Sequence, residues 1–241
     1  MSGATGESEF ELMGPVIESR ADEHARADST GTSWVILGAG GHARSIADVV
    51  TRLGDIVIAV VGQPELAWTV PVIETDDEAL DLAVRDGHPV ALGIGSNSAR
   101  ATVLARCRAR GVSMPAIVAA TATVAADSAL GLGTVVLEHA HVGPSSRVGD
   151  GVIVNTAAIV EHDCAVSNLV HLGPGSTALG GVRIGESAMI GSAACLLPGI
   201  IVGAYATVGS GSVVHIDVPD RMTVVGVPAR VIHSNPTKRG I

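Results

Sequence analysis

An aliphatic residue recurs every six positions along the second half of the chain. The series is Val118, Val124, Leu130, Val136, Val142, Val148, Val154, Val160, Val166, Leu172, Ala178, Ile184, Ile190, Leu196, Val202, Val208 and Val214, with Ala178 its one small member. A helix repeats at 3.6 residues and a strand at 2, so a period of six suits neither. It is the signature of a parallel β-helix in which three hexads close one triangular coil. The residue after the aliphatic one is often glycine (Gly131, Gly143, Gly149, Gly173, Gly185, Gly191, Gly203, Gly209), which reads as a corner needing a backbone free of Cβ restriction. Four places after the aliphatic residue stands a small one, as in Ala140, Ser146, Ala158, Cys164, Ser176 and Ala188. Each side of a coil therefore turns one branched and one small side chain inward. The run supplies a little over five coils, a prism about 25 Å tall at a strand spacing of roughly 4.8 Å.

Four aromatic residues in 241 (Phe10, Trp34, Trp68, Tyr205) suit a narrow core of Val, Leu and Ala. A net charge of −9 argues against nucleic acid or an anionic membrane as partner, because phosphate binding needs a basic face. Cys107, Cys164 and Cys195 lack metal or redox spacing, which points to a reducing, cytoplasmic setting. No apolar stretch approaches the roughly 18 residues of a membrane span, and the N-terminus lacks a signal peptide's apolar region.

Residues 1–33 read as a disordered polar tail rich in Glu and Asp. From Trp34 to about Pro115 the pattern becomes βα alternation, a Rossmann-like domain with a small parallel sheet. Residues 116–218 are the β-helix and 219–241 a cap over its open end, which would cover unpaired strand edges. Between the first strand and first helix lies the turn Gly38-Ala39-Gly40-Gly41-His42. Backbone N–H groups at a helix start favour anions, so a phosphate-bearing ligand is the expectation. Gly38-x-Gly40-x-x-Ala43 matches a dinucleotide fingerprint loosely, but the acidic residue that would hold a ribose is missing from Val61-Gly62-Gln63-Pro64. NAD, a nucleotide-linked or phosphorylated ligand, and a purely structural turn all stay open on the residues alone.

Within the coils, polar Asn155 and Glu161 replace the corner residue in successive hexads, and His162-Asp163 follows. Imidazole titrates near neutrality and can take a proton from an attacking nucleophile, which makes His162 the candidate base and Asp163 its support. Gly180 lies one coil further on, over the same corner, where its N–H could meet an oxyanion. His171 falls on an outward face and reads as an intersubunit residue, while Cys164 takes an inward packing position.

The run from Asn155 to Cys164, Val170-His171-Leu172-Gly173-Pro174-Gly175, Gly180-Gly181-Val182-Arg183-Ile184-Gly185 and the terminal Val224-Val225-Gly226-Val227-Pro228-Ala229-Arg230 resemble the NeuD/PglD family of sugar acyltransferases. That resemblance implies a left-handed coil, a homotrimer with active sites between prisms, and acetyl-CoA as co-substrate with no metal. His162 then corresponds to the catalytic base, with Asp163 beside it. Asn155, Asn97 and the turn Gly38, Ala39, Gly40, Gly41 and His42 are implied in holding a sugar or nucleotide-sugar. His171, Gly180, Pro198, Gly209 and Ser210 are implied around acetyl-CoA. Two departures stand out: Gln63-Pro64 replaces an aspartate pair, and Ala119-Ala120 replaces a His-Pro pair. Two other classes compete with a transferase: a non-catalytic nucleotide-sugar-binding trimer, and a γ-carbonic-anhydrase-like zinc enzyme drawing on His139, His141, His162 and His171.

Overall fold

A computed structural model describes residues 31–64 and 67–232. Positions 1–30 of the expected tail and 233–241 of the expected cap lie outside the described residues. The first part is a parallel sheet of β1 (Ser33–Leu37), β2 (Ile56–Val61), β3 (Val72–Ile73) and β4 (Val90–Leu92), ordered β3-β2-β1-β4. Helices α1 (Gly41–Arg52), α2 (Asp76–Asp86) and α3 (Asn97–Arg110) make its connections. Local chemistry sets their ends. Thr75 and Ser96 cap α2 and α3 by accepting from the Glu78 and Ala99 N–H groups, and Gly87 and Gly111 end them in the left-handed conformation.

From Ile117 onward the chain winds through seventeen two-residue strands, β5 (Ile117–Val118) to β21 (Val213–Val214), one for each hexad. Each strand from β5 to β18 pairs in parallel with the strand one coil on, as Ile153↔His171 and Ile159↔Thr177 illustrate, giving about six turns. Three narrow sheets result. The first side is headed by Ile117, Val135, Ile153, His171 and Met189; the second by Thr123, His141, Ile159, Thr177 and Cys195; the third by Ala129, Arg147, Ala165 and Arg183. The aliphatic column points inward, with Val142, Val160, Leu172, Ala178, Ile184 and Val208 fully buried, and Ala158, Ala188 and Ala206 fill the small positions between them.

The glycines after the aliphatic residues work differently from the expectation. None has a positive φ; the left-handed residue sits two places later, at Asp163 (φ 59°), Ala157 (φ 55°) and Gly181 (φ 73°). What excludes a side chain is the next coil: a Cβ on Gly191 would lie 2.5 Å from the Ser210 nitrogen, and one on Gly185 2.5 Å from the Ala204 nitrogen. These glycines permit coil-to-coil approach.

The N-terminal domain lies on the first side of the prism. Ala43, Ile46, Val49 and Val50 of α1 share one apolar cluster with Ile117, Val135 and Ile153. At the far end β22 (Thr223–Val225) continues the first side and β23 (Arg230–Ile232) folds back antiparallel to it.

Candidate active site

His162 projects from the corner between the second and third sides. Its Nδ1 lies 2.8 Å from Asp163 Oδ2, and both side chains are open to solvent (60% and 66% exposed). The carboxylate accepts, so the proton sits on Nδ1 and the lone pair of Nε2 stays free. Gly180 lies directly against the ring: a Cβ there would stand 2.5 Å from both Nε2 and Cε1. The edge is tied coil to coil by Gly181 N–H donating to the His162 carbonyl (2.9 Å) and Gly199 N–H to that of Gly180 (3.0 Å). The Gly180 N–H itself meets no acceptor among the described residues. A base thus stands against a residue whose backbone donor has no partner of its own. Pro198, exposed, follows on the same edge one coil later.

Cys164, beside this corner, is buried and directs its thiol to the Leu179 carbonyl at 3.3 Å. Burial pushes its pKa up, which opposes thiolate formation and leaves it a packing role.

Asn155 occupies the other edge of the second side, in line with Gly209, with Ser210 next to it. Its Oδ1 accepts from the Thr156 N–H (2.8 Å) and its Nδ2 lies 3.1 Å from His171 Nε2. His171 heads a strand on the first side, where the N-terminal domain of the same chain packs beside it, with Gly95, Arg100 and His42 as neighbours. Burial first, then the Arg100 charge, lowers its pKa to about 4. Burial, His171 and Arg100 lower that of His42 to about 3. Both imidazoles are neutral at physiological pH.

Asn97 was expected near substrate, but its amide is committed to the protein. Oδ1 accepts from Arg100 Nη2 (2.8 Å), and Nδ2 donates to the carbonyls of Ser187 (2.9 Å) and Ala188 (3.3 Å). It fastens the start of α3 to the prism. Arg100 escaped the sequence reading, although the signal was there: it falls on the buried face of α3 with Val103, Leu104 and Cys107, a charged residue in an apolar stripe.

The glycine turn contains two kinds of glycine. Gly38 has φ 122° and a Cβ there would strike the Gly93 carbonyl at 2.5 Å, so the fold requires it. Gly40 and Gly41 have open space where a Cβ would go and no positive φ. Helix α1 has no side-chain cap and no acidic residue in its first turn, and His42 Nε2 is buried without a partner in the structure. Trp68 closes one flank, donating its indole N–H to the Ala39 carbonyl (3.0 Å) under Arg44, whose guanidinium is 4.6 Å from the ring centroid. Exposed N–H groups, room above two glycines and an orphaned imidazole nitrogen suit an oxygen-rich ligand.

The model of the PglD N-terminal domain matches residues 34–107. The acetyltransferase domain of PglB from Neisseria gonorrhoeae FA1090, solved with acetyl coenzyme A, is 34% identical, with a TM-score of 0.77, over 84% of this chain and 100% of that one. A mutant of perosamine N-acetyltransferase from Caulobacter crescentus, solved with CoA and GDP-perosamine, is 35% identical, with a TM-score of 0.80, over 84% of this chain and 97% of that one. The chain belongs to the PglD-like family of sugar acetyltransferases. Members of this family are built on a left-handed hexapeptide β-helix, which is the fold described above. Serine acetyltransferase from Escherichia coli K12 is 36% identical over 102 residues, 38% of this chain and 37% of that protein. The chain thus spans from 25% to 37% of the length of the curated relatives it matches. Among the described residues of this PglD-like chain, no three His, Cys, Asp or Glu side chains converge as a metal site, and no helix is long and apolar enough to cross a membrane.

Proposed function

We propose that this protein transfers an acetyl group from acetyl-CoA to an amino or hydroxyl group of a nucleotide-linked sugar. The observation that carries this is the His162 corner: a free Nε2 with its opposite nitrogen tied to Asp163, set against an unspent Gly180 N–H. A thioester is already activated, so alignment, a base and an oxyanion donor are sufficient. The acceptor nitrogen or oxygen attacks the thioester carbon while His162 Nε2 takes its proton. The carbonyl oxygen, now an oxyanion, receives the Gly180 N–H. Collapse expels the CoA sulfur, and the proton on His162 passes to the thiolate.

The acceptor's nucleotide is assigned to the turn from Gly38 to His42, whose open glycines and uncapped helix start suit phosphate oxygens. Acetyl-CoA and GDP-perosamine in the solved relatives support both ligands. His162 and Asp163 stand exposed at a corner of the prism, and the complete site is assigned to the seam between prisms of a homotrimer. Acetyl-CoA and nucleotide sugars are cytoplasmic metabolites, and the protein is assigned to that compartment.

The test is thiol release from acetyl-CoA by wild type and His162→Ala, against UDP-, GDP- and dTDP-linked amino sugars and free sialic acid. Turnover with one acceptor, falling by roughly 100-fold or more in the variant, is the expected result. A folded trimer that binds a nucleotide sugar but releases no thiol with any acceptor would support a non-catalytic nucleotide-sugar-binding trimer instead.

A further inference from the structure

Arg100 carries a charge into the junction between α3 and the prism, 1% exposed and with no carboxylate beside it among the described residues. Its Nε donates to the Gly151 carbonyl (2.7 Å), Nη1 to those of Ile94 and Gly95 (3.0 Å each), and Nη2 to Asn97 Oδ1 (2.8 Å) and the Leu169 carbonyl (2.9 Å). A guanidinium has five N–H donors and here each has an oxygen, so none is left for an anionic ligand. Burying an unpaired charge is costly, and the burial holds Arg100 down to about 10.

What lies beside the charge gives it a use. His171 faces two charged or titratable groups, Arg100 from α3 and His42 from α1. The Asn155 amide cannot turn over without losing the Thr156 N–H from its Oδ1, so Nδ2 is the group presented to His171 Nε2 at 3.1 Å. An N–H facing a ring nitrogen requires that nitrogen to be an acceptor. The ring proton therefore resides on Nδ1, with the Gly95 backbone beside the ring favouring its protonation. A second proton on Nε2 would set donor against donor and turn the amide away.

We propose that Arg100 is a positioning residue for the transfer reaction: it holds the loop before α3 against the prism and adds its charge to the burial that keeps His171 neutral, and His171 with its proton on Nδ1 holds the Asn155 carboxamide in its orientation. The loop before α3, the first side of the prism and the Asn155 edge are thereby set by one buried cation. The kinetic consequence rests on the acetyltransferase reading; the state of His171 does not, and is measured without substrate.

The experiment compares Arg100→Lys, which keeps the charge, with Arg100→Gln, which removes it; both lose part of the five-oxygen cage. Nitrogen NMR of isotope-labelled histidine in the full chain, with His171→Gln identifying its signal, reports tautomer and titration. Wild type and Arg100→Lys are expected to show the neutral Nδ1–H form near pH 7, whereas in Arg100→Gln His171 titrates higher by about one pH unit or more. With an acceptor in hand, kcat near pH 6 is expected to fall about tenfold further in Arg100→Gln than in Arg100→Lys, with KM for acetyl-CoA little changed. Equal His171 titration in the two variants would make Arg100 a mere staple and overturn the proposal. A His171 found charged or protonated at Nε2 near pH 7 in wild type would overturn it as well.

Discussion

The Cβ that position 180 lacks would stand 2.5 Å from two atoms of the His162 ring. The ring is exposed and can swing away, so Gly180→Ala is expected to misplace the base without unfolding the coil: kcat/KM falls by about 100-fold while the melting temperature hardly moves. Steady-state kinetics beside a thermal melt check this. Gly41→Ala is the counterpart at the other end of the site. Its Cβ meets nothing within 4 Å, and alanine suits a helix start better than glycine. Stability is expected to hold or rise by up to about 1 kcal/mol while KM for the nucleotide sugar increases at least about tenfold, read from a melt and a substrate titration. The placing of Gly180 over His162 was legible in the sequence because counting by 18 places residues of a regular coil on one edge. Arg100 was not, because its partners are four backbone carbonyls and one amide contributed by segments up to 69 residues away, and no side-chain pattern encodes carbonyls.

At the level of the coil, each turn depends on a filled interior and on bare backbone at the corners. Leu172→Ala would remove a fully buried side chain, at a cost of about 3 kcal/mol. Gly191→Ala is expected to cost as much or more, because its Cβ would lie 2.5 Å from the Ser210 nitrogen, a backbone atom held in the next coil. Denaturant melts of both variants check the order, and a Gly191→Ala protein as stable as wild type would remove the close-approach account of these glycines. The six-residue period specified every strand of the prism, yet it misattributed the glycines: spacing marks where a corner is, and only the stacked neighbour reveals why a side chain is excluded there. The within-chain neighbours of His171 were hidden for a related reason: the repeat turns it outward, but nothing periodic tells that Gly95, Arg100 and His42 pack beside it.

The whole molecule is one body because α1 and the first side of the prism share a core, with Arg100 and two neutral imidazoles at the junction. His42 and His171 take up protons near pH 6.5 when unfolded but only at about 3 and about 4 when folded. Between those values the unfolded chain binds more protons, so stability is fully present above about pH 6.5 and declines as pH falls toward about 4. The melting temperature is expected to drop across that window, and less steeply in His42→Gln, by calorimetry at matched ionic strength.

The strand register has a further implication for how such a chain can change length. Each strand from β5 to β18 pairs with the one 18 residues on, so duplicating a whole coil would raise all later corners by one strand spacing without turning any of them. Inserting a single hexad would instead rotate everything above it by a third of a turn, carrying Gly180 away from His162. Viable length variants of this protein are thus quantised, and the distance from the His162 corner to the cap is a ruler graduated in coils.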